Sequence, residues 1–457
     1  MENIVSLCKR RGFIYPGSAI YGGFSNSYTY GPYGCALKKN IKDLWWKTFV
    51  QNRLDMVGID GPILLHPRIW EASGHVKNFN DAMVDCRHCK ARHRADHLIE
   101  KALKIEAEGL GEDDLSKLIL ENKVKCPKCG MQDFTRARYF NLMFKTEISK
   151  VGEESSVYLR PEPAQVMFTE FKNILDTMRV KLPFGIAQMG KAFRNEITPG
   201  NFIFRLLEFE QMEIEYFIRE ADWQAVFEGW LKEQWDWCRM IGLDESKIHE
   251  FEHPKEKLSH YSKRTVDLVY DFPFGRSELY GLAYRTDWDL SQHSEFSGKS
   301  LEYHDQVSGE RFFPHVVEPT FGVERSMLAV LCDAYREEEM GSETRIVMQF
   351  DTKIAPVKVA ILPLMKKDGL SEKAMEIFRQ VKGSFVCEFD DGGSIGKRYR
   401  RQDEIGTPYC VTVDYETLDQ GKTEFGTVTL RERDSMKQER IKIDGLLDLM
   451  NKKLRLG

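Results

Sequence analysis

A chain of 457 residues exceeds what one ordinary hydrophobic core fills and suits a large domain with a smaller companion. With 42% hydrophobic and 30% charged residues it has the make-up of a folded globular protein, which excludes disorder over most of its length. A net charge of −5 excludes a uniformly basic coat, yet leaves room for local Lys/Arg patches that meet nucleic acid on one face.

Residues Met1 to Gly12 carry no long apolar stretch, and no window approaches the apolar run of a membrane helix. The expectation is a cytoplasmic protein with no membrane segment. In that reducing setting ten cysteines are poor evidence for disulfides. From Tyr15 to Asn52 a Gly- and Tyr-rich loop leads into a helical pattern with Leu37, Ile41, Leu44, Trp45 and Thr48 near one face. Residues 86 to 140 read as an insertion in which two Cys pairs flank a polar helical stretch, His97 to Asn122, broken at Gly109 to Gly111. Strand-like and helix-like segments then alternate to about Glu343.

Beyond Ala355 the pattern is strand at Val357, helix over Ser371 to Val381, and strand over Phe385 to Phe389. A helix over Ser394 to Glu404 and strands at Tyr409 to Val413 and Thr427 to Leu430 complete it. Such alternation predicts a separate α/β domain with a partly parallel sheet. The predicted division is 1–345 and 355–457.

Two segments carry the chemistry. Arg194, Asn195 and Glu196, a turn around Pro199 to Asn201, and Phe204 to Phe217 read as two antiparallel strands joined by a loop. Arg205, Phe209, Gln211, Glu213 and Glu215 fall on one face of the second strand, with Met212, Ile214 and Tyr216 on the other. Read alone, such a face is solvated strand with incidental ion pairs. Beside Arg194 and Glu196 it offers what a nucleotide needs: cations for phosphates, a ring for a base, an acceptor for an exocyclic amine. The second segment, Pro314 to Leu331, is a buried strand, a turn at Gly322 and a helix whose Val323, Met327, Val330 and Leu331 face a core. Arg325 falls in the first turn of that helix, where the backbone favours anions.

Together these segments resemble motifs 2 and 3 of class II aminoacyl-tRNA synthetases, with Leu37 to Val50 and Gly58 to Pro67 similar to motif 1, the dimer-forming motif of that class. The resemblance narrows to the glycyl-tRNA synthetases through Ser73 to His75, Arg92 to Asp96, Leu159 to Gln165, Phe209 to Glu213, Glu278 with Leu279, Arg285 to Asp287, and Glu318 to Gly322. It spans nearly the whole chain. Departures are Pro163 and Val166, where the family usually has Thr and Gly, and Thr320, where it usually has Ser; the added methyl can tighten an amino-acid pocket.

The resemblance implies an α+β class II catalytic domain built on an antiparallel six- or seven-stranded sheet, with the Cys-rich insertion and a C-terminal α/β anticodon-binding domain. It implies a homodimeric glycine–tRNA ligase acting on ATP, glycine and tRNA(Gly). Arg194, Glu196 and Arg325 would be catalytic. ATP would meet Arg194, Asn195, Glu196, Phe204, Arg205, Leu206, Leu207, Glu208, Phe209, Glu278, Leu279, Gly322, Val323, Glu324 and Arg325. Glycine would meet Arg94, Glu162, Phe209, Glu210, Gln211, Met212, Glu213, Glu318, Pro319, Thr320, Phe321 and Gly322, and Glu278 is a candidate Mg²⁺ ligand. No smaller amino acid competes with glycine, so steric exclusion suffices and no editing domain is required.

Cys86, Cys89, Cys126 and Cys129 form two Cys-x-x-Cys knuckles whose spacing fits structural Zn²⁺, against the alternative of four reduced thiols; His88 and His93 read as surface residues. Lys397 to Arg401 is a solvated helix face or, in an anticodon-binding domain, a contact for RNA phosphates. The rival readings are another class IIa synthetase and a synthetase-like nucleic-acid-binding subunit without catalysis.

Overall fold

Alternating side chains build a seven-stranded sheet with one apolar and one polar face. Its strands run in the spatial order Ile248–Glu252, Arg264–Phe272, Gly275–Thr286, His315–Gly322, Glu208–Ile218, Phe184–Phe193 and Met56–Ile59. All neighbours are antiparallel except the last pair, which is parallel. The computed structural model describes residues 1–107, 109–150, 153–196 and 200–454. Pro199, in the turn expected between the two site strands, lies outside the described residues.

On the apolar face Met212, Ile214, Leu282, Val317 and Phe321 are buried against the helices Pro32–Trp46, Trp223–Met240 and Val323–Ala334. The Phe321 ring lies 5.9 Å from Trp45, 5.2 Å from Phe49 and 6.3 Å from Trp237, so three aromatic layers meet at one strand residue. The Pro32–Trp46 helix buries Leu37, Ile41 and Trp45 and starts with proline at its first turn, where the missing N–H costs nothing.

The Cys-rich insertion has its own core around Val84, Leu98, Ile99, Leu115 and Ile119. Its break at Gly109 to Gly111 separates the helices Ala95–Leu103 and Glu112–Glu121. The unit opens earlier than residue 86, because Asn80–Asp85 is the central strand between Arg92–Arg94 and Arg138–Asn141.

A second sheet, in the order Cys387–Phe389, Val359–Pro363, Tyr409–Val413, Thr427–Glu432 and Gln438–Lys442, has three parallel and then two antiparallel strands. It packs on the helix Leu370–Val381 through Ala374 and Ile377. The basic run on its helix Ile395–Ile405 is mostly engaged internally. Arg398 is buried and donates to the carbonyl oxygens of Pro363 and Gly393, Arg401 pairs with Asp390, and Arg400 reaches Glu343. Lys397 remains exposed. The Tyr33 hydroxyl donates to Glu388 at 2.9 Å, and Asn40 donates to the carbonyls of Ile354 and Ala355, so the first long helix touches both sheet domains. No helix among the described residues is long and apolar enough to cross a membrane.

Candidate active site

The polar face of the large sheet opens into a cleft of about 500 Å³. Arg194 and Arg325, far apart in the chain, both line it, together with Glu196, Phe204, Arg205 and Phe209. The Arg194 guanidinium stands 5.3 Å from the Phe209 ring and its Nε donates to the Pro161 carbonyl at 3.1 Å. The Arg325 guanidinium lies 4.7 Å from the Phe204 ring, and its Nη1 is 2.8 Å from Glu278 Oε1. Glu196 Oε2 is 3.9 Å from Arg205 Nη1. One end of the cleft is thus a set of guanidinium groups over aromatic faces.

Glu278 reaches that end only because the strand is irregular. Leu282 and Tyr280 point to the apolar core, and an even-numbered residue 278 would follow them in a regular strand. The register with Arg264–Phe272 slips between Leu268 and Val269, pairing Leu268 with Tyr280 but Val269 with Glu278. Leu279 is the extra residue of this bulge, and it turns Glu278 to the cleft. There the charge of Arg325 holds its carboxyl below the usual range.

The other end is acidic and buried. Glu162, Glu213, Thr320 and Glu318 line it, and Glu215 lies beneath, with carboxyl oxygens of Glu213, Glu215 and Glu318 within 4.8 Å of one another. The guanidinium of Arg285 is buried among them. It grips Asp289 with Nε and Nη2, both at 2.8 Å, and Glu318 through Nη1 at 2.9 Å. Burial pushes the Glu213 and Glu215 carboxyls well above the usual range, Glu318 adding to it, and burial raises Glu318 to about 7. Burial also opposes ionisation of Glu162, but neighbouring His75, 3.3 Å away, and Arg285 hold it well below that range. Among the described residues, Glu213 Oε2 and both Glu215 oxygens have no hydrogen-bond partner. Buried acceptors without donors are costly, and a bound cation offsets that cost.

Several expected contacts fall elsewhere, for reasons of geometry. Glu210, Met212, Pro319 and Phe321 are out of the cleft because each is one residue out of phase with the strand face that lines it. Glu210 pairs instead with Lys38 at 3.3 Å and with Lys42. Val323 is fully buried in the helix core, and Glu208 pairs with Lys191 at the surface. Asn195 and Leu207 contribute backbone, the Arg194 N–H donating to Leu207 and the Asn195 N–H to Leu142. Glu324 borders the cleft, but its carboxylate is bonded at 2.6 Å to Lys38. Leu206, Leu279, Gln211, Gly322 and Arg94 do line the cleft, Arg94 also pairing with Asp81 and Asp96.

The packed structure adds Glu215, His75, Tyr261, Arg285 and Asp289 to the acidic end of the site. Glu215 has a signal in its phase with Glu213, and His75 and Arg285 fall within motifs that carry the family resemblance; Tyr261 and Asp289 have none and arrive by packing, Tyr261 placing its ring 4.0 Å from the Arg285 guanidinium. Val166, a departure from the family pattern, packs on Gly61, where an added Cβ would come within 2.4 Å of it. Pro163 stands at the start of the helix Ala164–Thr169, a position proline tolerates.

The two knuckles are near copies of each other. Lys90 N–H bonds to Cys86 O and Gly130 N–H to Cys126 O, with both Lys90 (φ 58°) and Gly130 (φ 76°) in the left-handed region. Sγ separations are 3.6 Å for Cys86–Cys129 and 3.7 Å for Cys89–Cys126. A tetrahedron of thiolates about 2.3 Å from Zn²⁺ has edges of about 3.8 Å, whereas a disulfide needs about 2.05 Å. The donor set fits the metal. His93 is not a plain surface residue, since its Nε2 lies 3.5 Å from Cys126 Sγ and its ring is half-buried against Phe134.

Replacing Arg285 by Gln strands two buried carboxylates. Arg285→Gln is expected to lower stability by about 3–5 kcal/mol, read as a shift of the denaturation midpoint. A midpoint equal to wild type would refute the central role of this guanidinium.

Comparison with known proteins accords with this architecture. Residues 144–334 match the family model "tRNA synthetase class II core domain (G, H, P, S and T)", and residues 358–453 match "Anticodon binding domain". The chain is 50% identical to a glycine–tRNA ligase of Caldanaerobacter subterraneus subsp. tengcongensis, covering 100% of this chain and 98% of that protein. It is 51% identical to one of Geobacillus kaustophilus, with 99% of each covered, and 50% identical to one of Clostridium kluyveri, with 100% and 98% covered. Identity at this level over the full length places the chain in the glycine–tRNA ligase family of class II aminoacyl-tRNA synthetases.

Proposed function

We propose that the chain joins glycine to ATP in this cleft and passes the glycyl group to the 3′ end of tRNA(Gly). The observation that supports this best is the cleft's polarity: guanidinium groups and rings at one end, unpaired buried carboxyl groups at the other. A triphosphate with a flat base suits the first end, and a small ammonium compound suits the second.

In this reading Arg194 meets the α-phosphate, Arg325 the γ-phosphate in exchange for Glu278, Phe209 the adenine face and Glu196 its exocyclic amine. Glu162, Glu213 and Glu318 surround the ammonium group of glycine, and Thr320 narrows the space a side chain would need. The glycine carboxylate is already ionised at neutral pH, so attack needs no general base. A carboxylate oxygen bonds to the α-phosphorus while the bond to the bridging oxygen breaks and pyrophosphate leaves. Placement and charge offset by Arg194 supply the rate enhancement. Glu278 together with the phosphates would hold Mg²⁺, which adds positive charge to the same oxygens.

In the same proposal, residues 1–345 form the catalytic domain and 355–457 the part that reads the anticodon. The Cys-rich unit carries structural Zn²⁺. The exposed side chains of Ile20, Tyr21, Phe24 and Leu54, flanking the Pro32–Trp46 helix, support a homodimer built around that helix. Ten cysteines outside any disulfide and the RNA substrate support a cytoplasmic setting. Metal analysis should find one zinc per chain, lost in Cys126→Ser, and light scattering should find the mass of two chains; metal-free wild type or a single-chain mass contradicts the respective assignment.

ATP–pyrophosphate exchange across a panel of amino acids tests the reaction. Glycine alone should promote exchange, and Arg194→Ala should abolish it without unfolding the protein. Exchange driven by another amino acid would point to a different class IIa enzyme, and none at all to a non-catalytic subunit.

Glycine recognition is also expected to depend on pH. Glu318, with its carboxyl at about 7, must be ionised to attract ammonium, so protonation weakens binding as pH falls. The kcat/KM for glycine should drop by roughly tenfold from about pH 8 to about pH 6, because that ratio reports groups of the free enzyme. A flat profile would exclude Glu318 from the ammonium site.

A further inference from the structure

We propose that Lys38 and Glu324 are positioning residues for ATP, locking the helix turn that carries Arg325 to the strand that carries Phe209. The inference rests on the ATP reading of the cleft. It concerns the carboxylate of Glu324 and the ammonium of Lys38 behind the cleft.

The Glu208–Ile218 and His315–Gly322 strands pair as far as Gln211 and Gly322, and there the second chain turns into the Val323–Ala334 helix. The next amide along, that of Glu210, therefore faces no strand. Glu324 Oε2 accepts from it at 2.8 Å, continuing the ladder with a side chain. Glu324 Oε1 accepts from Lys38 Nζ at 2.6 Å, and Lys38 Nζ is also 3.3 Å from Glu210 Oε1. Successive helix residues project about 100° apart, so a carboxylate anchored behind the sheet at 324 leaves Arg325 directed to the cleft. Likewise Glu210, anchored on the reverse face, fixes Phe209 on the obverse. One carboxylate thus ties together the two elements that must meet the nucleotide.

The lysine is needed because the acids are buried. Glu324 is 4% exposed and Lys38 8%. Two carboxylates this close repel each other unless a cation lies between them, and of the three lysines beside Glu210 only Lys38 also pairs with Glu324 among the described residues, Lys42 and Lys191 meeting Glu210 but not Glu324. The Tyr30 ring, 4.4 Å from Lys38 Nζ, closes the remaining side. Losing the lysine would free Glu324 to turn toward water, and the first helix turn would turn with it.

The test uses full-length Lys38→Met, Glu324→Gln, Lys38→Arg, and a double variant, Lys38→Met with Glu324→Leu, that removes both charges and so avoids a stranded buried ion. In glycine-dependent exchange, the KM for ATP should rise by roughly tenfold in Lys38→Met, Glu324→Gln and the double variant, with the KM for glycine within about twofold of wild type. Lys38→Arg, which keeps the cation, should recover most of the loss. A purely structural role predicts instead a lower melting temperature and smaller active fraction with both KM values unmoved, and that result overturns the proposal. So does an equal rise in both. Equilibrium dialysis of ATP reads the proposal independently of the reaction. If wild type binds ATP but supports no exchange, the functional reading fails, while a weaker Kd for ATP in the variants still upholds the positioning role and an unchanged one refutes it.

Discussion

The guanidinium of Arg285 holds the acidic half of the cleft together. It is fully buried near the end of its strand, and it spans Asp289, in the first turn of the helix Trp288–Ser297 that follows, and Glu318 on the neighbouring strand. Without it Asp289 and Glu318 would lose the guanidinium that pairs with both, beside the buried Glu213 and Glu215. With it, the cluster stays short of neutral, and burial shifts the balance toward protonated acids. A site in that condition accepts a small cation readily and rejects an apolar side chain, which would cover unpaired oxygens without bonding them.

The opposite end works by the reverse arrangement. Its arginines lie over aromatic rings and near single carboxylates, interactions that an anion can displace at modest cost. Between the ends runs one strand, Glu208–Ile218, whose outward residues change from Phe209 through Gln211 to Glu213. A ligand lying along it meets ring, amide and acid in order. The distance between the reacting groups is then set by the rise of a β-strand, one of the least deformable spacings a chain offers.

The Pro32–Trp46 helix gives this sheet its context. It fills the apolar face with Leu37, Ile41 and Trp45, reaches the second domain through Tyr33 and Asn40, and places Lys38 among the acids behind the cleft. One rigid element is therefore in contact with the core, the partner domain and the reverse of the site. Rigid helices with packed cores transmit displacement rather than absorb it.

Much of this was legible from residue order alone. Alternation along Phe209 to Phe217 and the 3.6-residue pattern after Gly322 identified the two site elements and their faces, because side-chain direction in regular structure follows from backbone period. The strand starts at Glu208 rather than at Phe204, which ends a 3-10 turn that leaves Arg205 ahead of the strand. The Cys knuckles were legible because a tetrahedral site tolerates few spacings. What period could not reveal was any departure from it or any meeting of remote segments. Glu210 and Phe321 belong to the family motifs, yet phase puts them behind the sheet. Glu278 reaches the cleft through a bulge at Leu279 that no local pattern announces. Arg285, His75 and Tyr261 converge with Glu162 and Glu318 only after distant chain segments pack. The sequence by itself determined the local geometry and the family, since both reside in short-range order; the tertiary structure alone decided which charges share a buried volume, since that depends on contacts between residues far apart in the chain.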